Sequence, residues 1–237
     1  MYSCTPTKST AYFQTITRDT TFETYTPDQE LKIIKKDVLS IIISSLSPGD
    51  DAFFNGAAIG GGEKFAGFTV SDRGTILMHK LGHIPVEGLT RRELQDKLQK
   101  DLLPYLKDPI VNIQFLNHKI TVFGEVGTPK IIDMPEEQLS LVDILVSSGD
   151  VRETGNTDKI MIIRQEEGKK RTKYLNLQDH KIFASPWYYV KPGDIIYVKP
   201  DEEKRLKAEK RAILQRNIGF VTAGIGFVFL IVDRLTR

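Results

Sequence analysis

Residues 218–232 read IGFVTAGIGFVFLIV, fifteen positions without a charge, and no other stretch restricts the possible folds of this chain as sharply. Asp233, Arg234 and Arg237 close the run, and a charged ramp over 201–216 leads into it. No proline follows Pro200, so ramp and run can form one continuous helix. At about 1.5 Å per residue the apolar part spans roughly 22 Å. A bilayer core is about 30 Å thick and usually takes about 20 residues. Two readings compete: a buried C-terminal core helix, or a helix inserted in a membrane. A core helix normally keeps one polar face, whereas this run is apolar all round. Gly219, Thr222, Ala223 and Gly226 recur at three- and four-residue spacing, which places them on one helix face. Glycine costs about 1 kcal/mol relative to alanine in a helix in water, but it is common where membrane helices approach closely. The pattern therefore predicts a membrane-inserted helix over 218–232 whose packing face is Gly219, Thr222, Ala223 and Gly226. A thin membrane, or snorkelling by Arg216 and Arg234, makes up the missing length.

The remaining chain is ordinary for a globular protein, with 40% apolar and 27% charged residues. A formal net charge of +2 argues against a general nucleic-acid binder, which usually carries a basic face. Basic residues cluster only in the ramp, at Lys204, Arg205, Lys207, Lys210, Arg211 and Arg216, interrupted by Glu202, Glu203 and Glu209. That ramp reads either as a solvated helix face or as a contact with membrane headgroups. The single cysteine, Cys4, excludes an intrachain disulfide. It follows a small residue, Ser3, and precedes a Thr/Ser/Pro-rich tail, as at the processing site of a bacterial lipoprotein. The charged and apolar parts of a signal peptide do not precede it. Cys4 is thus a candidate for lipid attachment, with a chance N-terminal cysteine as the alternative.

Taken in order, residues 1–30 are threonine-rich and read as an extended tether. Residues 31–34 and 38–45 read as strands, and Ile41, Ile42 and Ile43 in succession suggest burial on both faces. Ser47, Pro48, Gly49 and Asp50 read as a turn. The glycines at 60–62 lack the Gly-Lys-Ser/Thr ending of a phosphate loop and read as a plain loop. Short strands follow at 68–70, 75–78 and 83–86; His79 and His83 have no evident metal-binding partners. Thr90 and Glu93 form a capping-box pattern, Leu94, Leu98 and Leu102 make one apolar stripe, and Pro104 stops the helix. Residues 110–116 form a strand, and Asn117 and His118 read as a hairpin turn into a strand at 119–123. A second helix begins at Ser140, buries Leu141, Ile144 and Leu145, and stops at Gly149. Residues 160–164 and 172–177 read as a hairpin, and 195–199 as the final strand. Trp187, Tyr188 and Tyr189 are candidates for glycan contact by ring stacking, with core packing as the alternative. The fold class is α+β.

Several pieces are similar to motifs of the polysaccharide biosynthesis/export family, the Wza-type outer-membrane lipoproteins. Val70, Ser71, Asp72, Arg73, Gly74, Thr75 and Ile76 lead to Leu81 and Gly82. Val86, Glu87, Gly88, Leu89 and Thr90 open the capped helix, and Asp108, Pro109, Ile110 and Val111 open the next strand. Val122, Phe123, Gly124, Glu125 and Val126 with Pro129 resemble the start of a soluble-ligand-binding β-grasp (SLBB) domain. Residues 139–149 resemble its helix, and Lys191, Pro192, Gly193, Asp194, Ile195, Ile196, Tyr197 and Val198 its closing strand. Three positions depart from the pattern: Lys36 with Asp37 stands for an opening Gly-Asp, His79 for a proline, and Lys130 for a glycine. All three bear on turns. The resemblance implies an export domain over 31–116, one SLBB β-grasp-like domain over 117–200, and a C-terminal helix over 201–237 containing the membrane segment.

By the same resemblance the chain is a non-enzymatic subunit of a homo-oligomeric ring. It transports capsular or exopolysaccharide through the periplasm and outer membrane, with its C-terminal helices packed in a membrane barrel. The implied partners are sister copies, polysaccharide, membrane, and an inner-membrane polysaccharide co-polymerase or tyrosine-kinase-type protein; no nucleic acid, cofactor or metal is implied. A different class stays open: a membrane-anchored periplasmic glycan-binding or scaffold protein that forms no pore. The residues themselves give no paired carboxylates in a motif, no nucleophile elbow and no metal-ligand spacing.

Overall fold

The computed structural model describes residues 11–26, 30–46, 48–55, 67–134, 138–166 and 168–216. The run 218–232, with Gly219, Thr222, Ala223 and Gly226, and the candidate lipid site Cys4 lie outside the described residues. Among the described residues no helix is long and apolar enough to cross a membrane. The described chain is mixed α and β and builds two hydrophobic clusters, one from Ile33 to Phe115 and one from Ile120 to Val198.

The first unit contains β1 (Val38–Ser44), α1 (Pro48–Phe54), β2 (Phe68–Thr69), β3 (Thr75–Met78), β4 (Gly82–Pro85), α2 (Arg91–Leu102) and β5 (Ile110–Phe115). Strand β1 lies between β2 and β5 and is antiparallel to both, while β3 and β4 form a separate hairpin. Helix α2 begins as its sequence dictates. The Thr90 hydroxyl accepts from the Glu93 amide and the Glu93 carboxylate accepts from the Thr90 amide, closing a capping box. Leu94, Leu98 and Leu102 are fully buried along one stripe.

Three expectations for this unit are corrected. Residues 31–34 form no strand; Lys32 makes a lone bridge to Thr90. The Ile41 to Ile43 run is buried on one face only, because Ile42 points outward and is 56% exposed. The expected turn at Pro48 is the start of α1, where a proline suits the first helical position because its amide would be unpaired in any case. The Asp51 carboxylate then accepts from the amide and hydroxyl of Ser45, and the Asn55 amide group pairs with both backbone groups of Ile43 at 2.7 Å.

The second unit contains β6 (Lys119–Gly124), β7 (Lys130–Asp133), β8 (Leu139–Ser140), α3 (Leu141–Ser147), β9 (Gly155–Glu166), β10 (Lys169–Leu175), a 3-10 turn (His180–Ala184), β11 (Tyr189–Val190) and β12 (Ile195–Pro200). Five strands form a sheet in the order β10-β9-β12-β6-β7, and β8 pairs with β11. Helix α3 carries its own capping box, Ser140 with Asp143, and buries Leu141, Ile144 and Leu145 as expected. Its stop, Gly149, sits at φ +76°.

Asn117 and His118 are not a hairpin turn. Strand β5 pairs with β1 and β6 pairs with β12 and β7, so the chain passes from one sheet to the other between them. The alternation VNIQF followed by a polar pair looks like a hairpin because the local pattern carries no information about which partner a strand takes. The crossing is held by side chains. Asn117 accepts from the Val38 amide and donates to the Lys36 carbonyl, each at 2.9 Å. His118 stacks on Phe115 at 3.8 Å and meets the buried Asp37 carboxylate at 3.1 Å.

The tether expectation is corrected for residues 11–26. They form no helix or strand, yet they are strapped across the second unit. The Phe13 amide donates to Leu177 and the Tyr25 amide to Phe183, while Phe13 and Phe22 pack on the Phe183 ring. Tyr12 donates its phenol proton to Asp150. Burial above all, and then the Asp150 carboxylate, push the Tyr12 phenol above its usual pKa. Beyond β12, residues 202–216 are helical, capped by the Asp201 carboxylate, and all but Lys204 and Lys207 are exposed.

Candidate functional site

The aromatic trio belongs to the closure of the second unit. Arg164 occupies the inward phase of β9, after Ile160 and Ile162, where alternation would place an aliphatic residue. Its guanidinium donates to both carboxylate oxygens of Asp194, at 2.9 Å and 2.7 Å, and to the Tyr189 carbonyl at 3.1 Å. The Arg164 and Asp194 side chains are 5% and 0% exposed. Asp194 also accepts from the Lys191 amide at 2.8 Å, tightening the turn before β12. Trp187 covers the guanidinium, with its ring centroid 4.4 Å from the Arg164 Cζ. Tyr188 packs edge-on to Phe183, and its carbonyl accepts from the Leu141 amide at the start of α3. Burial raises the Tyr188 phenol pKa, against the lowering effect of its hydrogen bond with Ser140. All three rings are half-buried, so only their outer edges reach solvent.

A larger surface, which the sequence reading missed, is the outer face of the five-stranded sheet. Strand register places Tyr174, Met161, Tyr197 and Phe123 side by side across β10, β9, β12 and β6. A second row runs Thr172, Ile163, Ile195, Thr121 and Ile131 across all five strands. Phe123 and Tyr197 stack at 4.8 Å, and Lys199 lies 5.5 Å from the Tyr174 ring centroid. Ile131 is 63% exposed and Tyr174 49%. The opposite face, from Ile120 to Val198, is the buried core. An apolar patch of this kind marks an interaction surface in most proteins. The signal for it was present in β9 and β12, whose outward positions are apolar where a solvated face would be polar.

Gly124 permits the close approach of β6 and β12. Its φ is +99°, and a side chain there would run into the Val198 carbonyl. His79 stacks against Phe53 at 6.3 Å, beyond the end of β3, while His83 lies within β4. Among the described residues no group of three or more His, Cys, Asp or Glu side chains is placed to hold a metal.

Residues 26–116 match the family described as polysaccharide biosynthesis/export protein. Two similar proteins are each named "EPS I polysaccharide export outer membrane protein EpsA". The one from Ralstonia nicotianae (strain ATCC BAA-1114 / GMI1000) is 27% identical over 154 residues, 63% of this chain and 40% of its own length. The one from Ralstonia solanacearum is 28% identical over 144 residues, 59% of this chain and 38% of its own. The chain thus spans about 40% of the length of these curated relatives. The matched segment coincides with the first folded unit, whose core runs from Ile33 to Phe115. The likeness to the polysaccharide export family is thus carried by residues 26–116, the first folded unit.

Proposed function

We propose that this protein is a non-enzymatic subunit of an oligomeric conduit that exports capsular or exopolysaccharide across the periplasm and outer membrane of a bacterial cell envelope. The observation that carries the reading is the match of a complete folded unit to the export family, together with relatives named as outer-membrane export proteins. The second unit fits an SLBB, β-grasp-like domain: its first and last strands are parallel neighbours, and a short helix is buried on one face. The apolar outer face of its sheet suits contact between copies. Helix 202–216 stands nearly free of the body and leads toward the apolar run, which supports an anchoring role for 218–232. Lipid attachment at Cys4, helix packing through Gly219, Thr222, Ala223 and Gly226, and glycan contact at the outer edges of Trp187, Tyr188 and Tyr189 belong to the same proposal. So does docking to an inner-membrane co-polymerase.

Native mass and particle images of the full chain extracted in mild detergent test the assembly. A ring with a central opening is expected. A monomer in several mild detergents defeats the conduit and leaves the scaffold reading. Deleting 218–237 is expected to stop export while the two folded units persist by circular dichroism; unchanged export defeats the anchoring role.

A further inference from the structure

The first unit holds a cleft of about 400 Å³ between β4 and the C-terminal half of α2. That volume lies within the range of small-molecule sites, about 300–1,000 Å³. Its apolar lining comprises the buried Ile84 and the exposed Pro85, Pro104 and Tyr105 ring, the last 46% exposed. Its rim is charged: Lys97, Lys100 and Asp101, all carried by α2. Among the described residues none of these three makes an ion pair. Two ammonium groups against one carboxylate leave the rim net positive, in a chain whose total charge is close to zero.

The walls are rigid, as a binding site requires. Leu98 and Leu102 fix α2 from beneath with no exposed surface, and Ile84 fixes β4. The hairpin tip between β3 and β4 is locked by Lys80, whose ammonium lies 5.1, 5.7 and 5.8 Å from the rings of Phe53, Phe54 and Tyr105. The same contact fixes the Tyr105 ring at the cleft.

We propose that this cleft is a subsite for a carboxylate-bearing pyranose unit of an acidic polysaccharide. The chemistry is complementary on each side. The apolar C–H face of a pyranose ring lies on Tyr105 and the prolines. Its carboxylate takes charge-assisted hydrogen bonds from Lys97 and Lys100. Its hydroxyls donate to Asp101. A neutral sugar leaves both ammonium groups without an anion, and an acidic peptide offers no flat C–H face to Tyr105. The inference rests on the export reading and narrows it to an anionic cargo.

The test uses the full chain in detergent micelles and isothermal titration with three probes. These are a hyaluronan hexasaccharide, in which glucuronate alternates with a neutral sugar, neutral maltohexaose, and a poly-glutamate peptide of similar charge. The hyaluronan hexasaccharide is expected to bind at least about tenfold more tightly than either of the others. Replacing Lys97 and Lys100 together by Gln weakens it at least about tenfold, Tyr105→Ala weakens it several-fold, and Lys100→Arg retains it. Unchanged circular dichroism shows that each variant is folded. Absence of binding by the hexasaccharide, equal binding of maltohexaose or poly-glutamate, or indifference to the double Gln variant overturns the subsite. A ring that still exports polysaccharide after such a result refutes the subsite alone and leaves the export reading standing.

Discussion

Asp194→Ala is the sharpest test of how the second unit is held together. The change removes every carboxylate oxygen that Arg164 meets, and leaves a guanidinium that is only 5% exposed with the Tyr189 carbonyl as its hydrogen-bond acceptor and the Trp187 ring as its other contact. It also frees the Lys191 amide that Asp194 holds. Breaking a buried pair from one side costs about 3–5 kcal/mol, because the surviving charge cannot be rehydrated without opening the fold. With a urea dependence of about 2 kcal/mol per molar, the unfolding midpoint falls by roughly 1.5–2.5 M. The assay is built into the molecule. Trp187 is the single tryptophan of the chain and lies against Arg164, so its fluorescence reports this unit and not the other. Replacing Arg164 by Met in the same protein should recover part of the loss, since it removes the stranded charge. A midpoint shift below about 0.5 M for Asp194→Ala, or a double variant no better than the single, refutes the reasoning.

Two further perturbations probe other joints. Lys36 holds φ +72°, a left-handed conformation that costs a non-glycine residue about 1–2 kcal/mol; set against about 0.4–1 kcal/mol of added unfolded-state entropy, Lys36→Gly should raise the stability of the first unit by up to about 1 kcal/mol in denaturant unfolding, and a clear loss of stability would count against this account. The Tyr12 phenol has a raised folded pKa, so its contribution is complete below the unfolded value of about 10 and fades as pH climbs through the higher folded value. The protection of residues 11–26, taken as observed exchange relative to the intrinsic rate at each pH, should therefore fall as pH rises above about 10 in the parent protein, and Tyr12→Phe should make that protection independent of pH there.

What the sequence made legible was local. The Thr90 capping box, the Ser140 helix start, the Leu94 to Leu102 stripe, the hairpin between β9 and β10 and the Gly149 stop are decided within a few residues, and each stands where its pattern placed it. What it hid was pairing at a distance. The Asn117 and His118 crossing reads locally as a hairpin, and only the partners of β5 and β6 reveal two sheets. The strap at 11–26 has no periodicity because its partners, His180, Phe183 and Leu177, lie some 160 positions away. Arg164 did carry a signal: a cation in the inward phase of an apolar strand implies a buried anion. The pairing of the outer-face rows and the cleft lined by Tyr105 needed register and tertiary packing, which no single stretch encodes.

The neighbouring, parallel course of β6 and β12 has a mechanical consequence. Tension applied to the start of β6 and the end of β12 runs along both strands in opposite senses, so the bonds joining residues 195–198 to 121–124 bear load together, in shear. The β9–β10 hairpin, pulled at its open end, would instead yield one rung at a time. A subunit tugged at both termini would then resist as a clamp, and single-molecule pulling should find its rupture force well above that of any unzipping hairpin.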